Sequence, residues 1–575
     1  MPTIKTYQDL AQHHPTPAEQ QLIDDSREGR PCILNGGVRP EVATPDCTIR
    51  ANILRYLILG GCPDHNVDGR GVRLEGAHVT GILDLDYETT RGATRLLNCS
   101  FDDMIFANEA QIVSLILSGS ALEGLKMQGA TIGGNALLRG VHVRGMVSFA
   151  GANIGGRLEI VDSLIEGKRG RAFYGQSIRV DGGVLLQDTE MRDMIWLTKA
   201  TLGGFYCEGL VLTASNGVAL QATNLTVQGN VSFAARNVDS DSGPKVSDGA
   251  RFTGEVILSG AVIHGRLDLK KAQFNNEDGH AFNGQRMRVT QDMIWEQTVV
   301  HAGTVSLNGA HVVELADNPA HWPQTPDGLV LFGFTYDRIK GKVSVSKDRR
   351  AWLENGSHFD AKFFPQPYSQ YAKFLRDVGH DADARVILEE REAFLRAERR
   401  RRSVDPREVT GLNDLQLVRA KLWAWWDRLF LDPAFRLVIG YGHAPFRALG
   451  VLILLIVLCA LPSFMAYHAG DFAPNSAVVQ ASDGWRDAQD AANPAKAWSA
   501  ATAKGRDWET FSAGAYAVDV VIPIIEFGQT DAWAPSTSRG PWGYHLWWAR
   551  WVFTVLGWII TALGAAAITG IIRRE

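Results

Sequence analysis

The sequence predicts a chain of mixed class, with a parallel β-helix first, a helical linker next and a module of two transmembrane helices last. Three observations predict it. An eleven-residue pattern recurs from about residue 70 to 315, a stretch with helical spacing follows, and two apolar runs lie near the end. Together they divide the chain into an N-terminal cap with short helices (1–68), the β-helix (69–345), the helical linker with an interfacial helix (346–445) and the membrane module (446–575).

The repeat reads Gly-Ala-x-apolar-x-Gly-x-apolar-x-apolar. It occurs at Gly76 to Leu85, Gly129 to Leu138, Gly151 to Ile160, Gly249 to Leu258 and Gly260 to Leu269, with a variant at Gly140 to Phe149. In Gly155-Gly156-Arg157-Leu158-Glu159-Ile160 apolar and polar residues alternate, which is the period of a short strand. A strand so short cannot bury a face alone, so successive coils must stack. Two units make a coil of about 22 residues. The segments starting at Gly151 and Gly170 return at Gly260 and Gly279, an offset of 109 residues, which predicts a duplication of about five coils. On these residues the repeat resembles that of pentapeptide-repeat and related right-handed β-helix proteins, with a longer coil, and the resemblance is one of architecture.

Repeat surfaces of this kind commonly bind partners. Arg157 and Arg266, and Arg179 and Arg288, hold corresponding positions, with the pair Trp196 and Trp295, and Arg192 and Lys199, nearby. Basic residues interleaved with aromatics suit single-stranded nucleic acid or a nucleotide, through phosphate neutralisation and base stacking. The plainer reading is solvated arginines and aromatics packed at corners. At about 4.8 Å per coil the duplicated arginines are expected roughly 24 Å apart along one side.

From Tyr368 to Arg402 only Gly379 interrupts a helical spacing of Ala384, Ile387, Leu388, Phe394 and Leu395, which predicts a helical hairpin breaking near Val378 to His380. Arg399 to Arg402 form a basic cluster, read either as a solvated helix end or as a lipid contact. Leu422, Trp423, Trp425, Trp426, Leu429 and Phe430 predict an interfacial helix.

The apolar runs Ala448 to Ala466 and Trp551 to Ile572 are each long enough to cross a bilayer. Arg436, His443 and Arg447 flank the first and Arg573 and Arg574 the second, so the positive-inside rule puts both termini in the cytoplasm, here of a bacterial inner membrane. The polar first twenty residues contain no secretory signal. A net charge of -5 gives no global basic excess. The six cysteines are scattered without the paired spacing of zinc or redox sites. No phosphate-binding, metalloprotease, nucleophile-elbow or dinucleotide motif occurs, so no enzyme activity and no cofactor is expected.

Between the spans, Phe511 to Trp533 hold a semi-apolar helix followed by a glycine-containing tip. This layout resembles the pore loop of the two-span potassium-channel family. In that alignment Ile524-Ile525-Glu526-Phe527-Gly528-Gln529 stand where the family has Thr-Val-Gly-Tyr-Gly-Asp. The resemblance implies a re-entrant pore loop carrying Asp519, Glu526, Phe527, Gly528 and Gln529. Glutamate in place of a filter glycine argues against potassium selectivity, and a ring of Glu526 carboxylates would favour cations in general. The alternative is an external loop with Pro523 ending its helix. Gly557, Gly564 to Ala567 and Gly570 give the second span a small-residue surface suited to close packing.

These readings converge on a ligand-gated channel or pore in the lipid bilayer, a homo-oligomer expected to be a tetramer, whose cytoplasmic β-helix senses a soluble ligand. The layout is also similar to that of bacterial anti-phage membrane effectors, the Hailong system in particular. That likeness implies single-stranded DNA oligomers or nucleotides as ligand, and a partner enzyme that makes them. The rival reading is a membrane-anchored scaffold on which the β-helix recruits proteins.

Overall fold

The computed structural model describes residues 4–240, 243–246, 248–341, 345–404, 414–522 and 524–569. Pro523, Gly570, Arg573 and Arg574 lie outside the described residues. The chain divides after His380 into two compact units.

The first unit is a parallel β-solenoid of about 11 turns. One coil shows the principle: strands Thr131–Ile132, Ala136–Arg139, His142–Val143 and Val147–Ser148 are followed by Asn153–Ile154, which lies on Thr131–Ile132 one coil later. The other strands climb likewise, Ala136 onto Leu158, His142 onto Leu164 and Val147 onto Phe173. Among the described residues the stacked coils form one sheet of 20 strands and another of 18. The repeated Gly-Gly marks a corner where backbones touch, since a Cβ on Gly156 would meet the Gly134 carbonyl group and Asn135. Inward residues such as Ile132, Leu138, Ile154, Leu158 and Ile160 are fully buried. Toward the C-terminal end Phe205, Phe233, Phe252, Phe274, Trp295, Trp322 and Trp352 form a continuous aromatic column, with successive centroids 4.3 to 6.1 Å apart.

The sheets begin earlier than the repeat pattern does. Cys32–Ile33 and Thr48–Arg50 already pair with Arg73–Glu75 and His78–Thr80, inside the segment expected to be only a cap. Over this end lie α1 (Pro17–Glu28) and α2 (Ala51–Ile58). Thr16 and Glu19 close a capping box at the start of α1. The fully buried Glu19 also takes Arg50 in a two-pronged ion pair at 2.7 and 2.8 Å and accepts the Arg50 amide at 3.0 Å.

Burial alone would raise the Glu19 pKa, but the Arg50 side chain and the Thr16 and Arg50 amides outweigh it and hold it below the ordinary glutamate value. A carboxylate lowered in this way contributes its full stability above its unfolded pKa and loses it as pH falls through the folded value. Hydrogen exchange of the α2 amides, corrected for intrinsic rate, should therefore show steady protection above about pH 4.5 and a loss below it. An Arg50→Met variant should lose roughly 1.5–3 kcal/mol at neutral pH and show a smaller acid step.

At the far end α3 (Lys347–Ser357) and α4 (Gln366–Asp377) close the solenoid. Arg349 on α3 reaches Asp317 with two bonds of 2.7 and 3.0 Å, at side-chain exposures of 6% and 0%. The same carboxylate accepts the Trp322 indole N–H at 2.8 Å. All six cysteines are buried, and burial pushes the Cys32 thiol up to about 12, so these sulfurs are packing groups.

The second unit opens with α5 (Asp381–Val404), so a helix break does fall at Val378 to His380. Then come α6 (Asp414–Trp426), a π-turn over Asp427–Leu431 and α7 (Asp432–Ile439). Among the described residues two helices are long and apolar enough to cross a membrane, α8 (Arg447–His468) and, later, Pro541–Ile568. Leu454, Leu458 and Leu461 on the first, and Trp551, Val555 and Trp558 on the second, are exposed, as lipid-facing side chains would be. The segment Gly440-Tyr441-Gly442 is a buried 3-10 turn whose Tyr441 hydroxyl donates to Asp432 at 2.6 Å, a structural elbow.

Candidate functional site

Two places hold the residues singled out by sequence. The first is α9 (Ala513–Val521) with the loop that follows it. This short helix packs against both α8 and α10 (Pro541–Ile568). Its carboxyl end is seated on α10 by two local features. The Thr554 hydroxyl donates to the Val520 carbonyl at 3.0 Å, and Gly557 lies so close to the Val521 carbonyl that no Cβ would fit between them.

After Val521 the chain turns back, and Asp519 fastens it. The carboxylate accepts the amides of Phe527 at 2.6 Å, Gln529 at 2.7 Å and Thr530 at 3.3 Å, anchoring the tip to the helix it has just left. Gly528 adopts φ +77°, a left-handed conformation that glycine takes without strain, and so starts the short helix Gln529–Ala532. Ile524, Ile525, Glu526 and Phe527 are exposed at the tip. Gln529 is not: it is 2% exposed, accepts the Ser512 amide at 2.9 Å and donates to the Thr510 carbonyl at 2.9 Å. It therefore braces the loop from inside, whereas the sequence placed it among tip residues. Strands Phe472–Pro474 and Trp533–Pro535 pair antiparallel and clamp the base of the segment. Around them Tyr467 stacks on Phe511 at 4.2 Å, with Trp498 and Trp533 alongside.

The second place is the solenoid face. Asn153, Arg179, Thr201, Thr226, Val262 and Arg288 form one ladder, so Arg179 and Arg288 stand four coils apart. At about 4.8 Å per coil that is about 19 Å, against the 24 Å expected from five coils. The coil from Thr226 to Val262 is the reason, since it carries an inserted hairpin of Asn237–Ser240 and Gly243–Val246. Arg157 and Arg266 are equivalent too, each giving its amide to an asparagine of the coil before, Asn135 at 2.8 Å and Asn230 at 2.9 Å.

The pairing of Trp196 with Trp295 does not hold. Trp196 lies beside Tyr174 in the 18-stranded sheet, half-buried, with the Arg171 guanidinium 4.6 Å from its ring. Trp295 pairs with Asp317 in the 20-stranded sheet, and its ring is buried and stacked 4.3 Å from Trp322. It presents no face to a ligand. Arg192, in the same sheet as Trp196, bonds Glu190 at 2.9 Å, and Lys199 occupies a left-handed turn with φ 58°. Arg179 pairs with Asp181 at 3.0 Å and Arg266 with Asp292 at 3.1 Å. Arg157 and Arg288 have no carboxylate partner among the described residues. The candidates are thus spread over both sheets, and half of the duplicated arginines are already neutralised. Compared with protein families, curated proteins and solved structures, the chain matches none of them.

Proposed function

We propose that the chain is the subunit of an oligomeric membrane channel or pore, gated by a soluble ligand that the solenoid binds on its cytoplasmic side. The observation that carries this reading is the seat of α9 between two membrane-length helices, with its return loop stapled by Asp519 and Glu526 exposed at the tip. A short helix and an ordered loop inside a bundle of long apolar helices make a re-entrant element, and around an oligomer axis four Glu526 carboxylates would line its narrowest part. On this reading the ligand is anionic and Arg157 and Arg288 are the residues that meet it. A nucleotide or a short DNA strand has that chemistry, and a pore opened by it would serve anti-phage defence.

The neutralised Arg179 and Arg266 favour a second reading, in which the solenoid recruits a protein and the long helices only tether it. Planar-bilayer recording separates the two. Reconstituted channel should pass cations over anions, and Glu526→Gln should reduce that preference several-fold with little change in protein stability. Bilayers that stay silent with nucleotides and short single-stranded DNA would leave the scaffold.

A further inference from the structure

Between α5 and α6 runs a groove of about 550 Å³ that the pore reading does not use. Ala397, Arg400, Arg401 and Val404 line one side, and Ala424, Trp425 and Arg428 the other. Its shape follows from the phase of α6. Leu417, Ala420, Ala424 and Asp427 are partly covered and recur every three or four residues, so they form the contact face toward α5. Asp427 fixes that contact by accepting Arg400 at 2.8 Å, while Arg400 also reaches Asp432 at 3.1 Å.

Another face of α6, running on into the π-turn, is apolar and uncovered. Leu415, Val418, Leu422, Trp425 and Leu429 form a stripe at the same spacing, each half or more exposed. Lys421 and Arg428, seven residues apart, border this stripe on the side of the groove. Among the described residues Arg428 has no carboxylate partner, while Arg401 bonds Glu398 at 2.9 Å. An apolar stripe edged by basic residues is the arrangement of a helix lying at the level of lipid phosphates, with its indoles in the headgroup layer.

We infer that this groove binds the phosphate of an anionic phospholipid, with Arg428 and Arg401 holding the phosphate and Trp425 lying along the first acyl carbons. The occupant is a lipid because the basic edge and the exposed apolar stripe are continuous, and a free phosphate or a nucleic acid would leave Leu422, Trp425 and Leu429 in water. The groove borders the elbow through which α5 meets the first long helix. Arg396 lies over Phe435 at 4.2 Å, and Arg447 bonds Glu389 at 2.9 Å. A bound lipid would thereby hold the elbow at the membrane surface.

The inference rests on the membrane placement of α8, and its test keeps the two apart. Full-length protein is exchanged into nanodiscs of mixed phosphatidylcholine and phosphatidylglycerol, then extracted, and the retained lipids are weighed by mass spectrometry. Wild type should retain phosphatidylglycerol over phosphatidylcholine, Arg428→Glu should lower that ratio about tenfold, and Arg428→Lys should keep most of it. Neither glycerol 3-phosphate nor short single-stranded DNA should displace the lipid. Equal retention of both lipids, an unchanged ratio in Arg428→Glu protein with wild-type elution, or displacement by DNA would each overturn the lipid site. Failure to enter nanodiscs at all would instead overturn the membrane reading beneath it.

Discussion

Arg349→Ala is expected to lower the stability of the C-terminal coils by about 3–5 kcal/mol, because it strands a buried carboxylate. Asp317 is wholly enclosed, and its two oxygens are shared between the Arg349 guanidinium and the Trp322 indole. Burial works against the charge on Arg349, but Asp317 outweighs it and keeps the guanidinium pKa raised, so Arg349 stays charged. Trp352 lies 4.7 Å under the same guanidinium and ends the aromatic column, so α3 is held to the solenoid by charge and by stacking together. Hydrogen exchange should show strands His311–Asp317 and Thr335–Ile339 opening while Thr131–Ile132 keeps its protection, since a solenoid loses coils from its end. The double variant Arg349→Met, Asp317→Leu should recover part of the loss, short of all of it because the Trp322 N–H is left without its acceptor. A single variant within about 1 kcal/mol of wild type would mean that the cap is not held here.

The sequence made the coils legible and left the caps obscure, for one physical reason. Glycine corners and a period of two are local signals, and Gly155-Gly156 with Leu158 and Ile160 states both within six residues. The capping pairs are not local: Glu19 and Arg50 are 31 residues apart, and Arg349 and Asp317 are 32. Nothing near Arg50 distinguishes it from the solvated arginines of the repeat. The duplication count failed at the inserted hairpin after Asn237, because a fixed offset measures chain length and not coils climbed. Trp295 was misplaced by a break in alternation. The ladder of Arg288–Trp295 shifts register between Val289 and Asp292, and beyond it Met293 and Trp295 point inward together.

The loop after α9 was half legible. Gly528 takes the left-handed conformation that glycine suggests, and Glu526 and Phe527 are exposed. Asp519 was singled out, but its role as an anchor for three amides depends on the chain folding back, which no pattern in the sequence states. Likewise Gly557 reads in sequence as one small residue among several in the last helix. Only the structure sets it against the Val521 carbonyl and sets Gly564 against Ala448.

That difference between two glycines makes a graded test of the proposed re-entrant element. Gly557→Ala is expected to unseat α9, because the new methyl would have to displace backbone and not the end of a flexible side chain. The loss should be about 3 kcal/mol, read as a fall in thermal midpoint of full-length protein in detergent and, on the proposed channel reading, a loss of conductance in bilayers. Gly564→Ala adds the same methyl on the same helix but meets only the Ala448 side chain at 3.1 Å, so a few tenths of an ångström of give should suffice. Helix propensity favours alanine equally at both positions, by up to about 1 kcal/mol, and so cancels in the comparison. Thr554→Val supplies a third point: it removes the hydroxyl bond to Val520 without adding bulk and should cost about 1 kcal/mol. If Gly557→Ala and Gly564→Ala behave alike, the carboxyl end of α9 does not sit against the last helix. The loop carrying Glu526 would then have no fixed depth between the long helices, and a carboxylate ring at that position could not form.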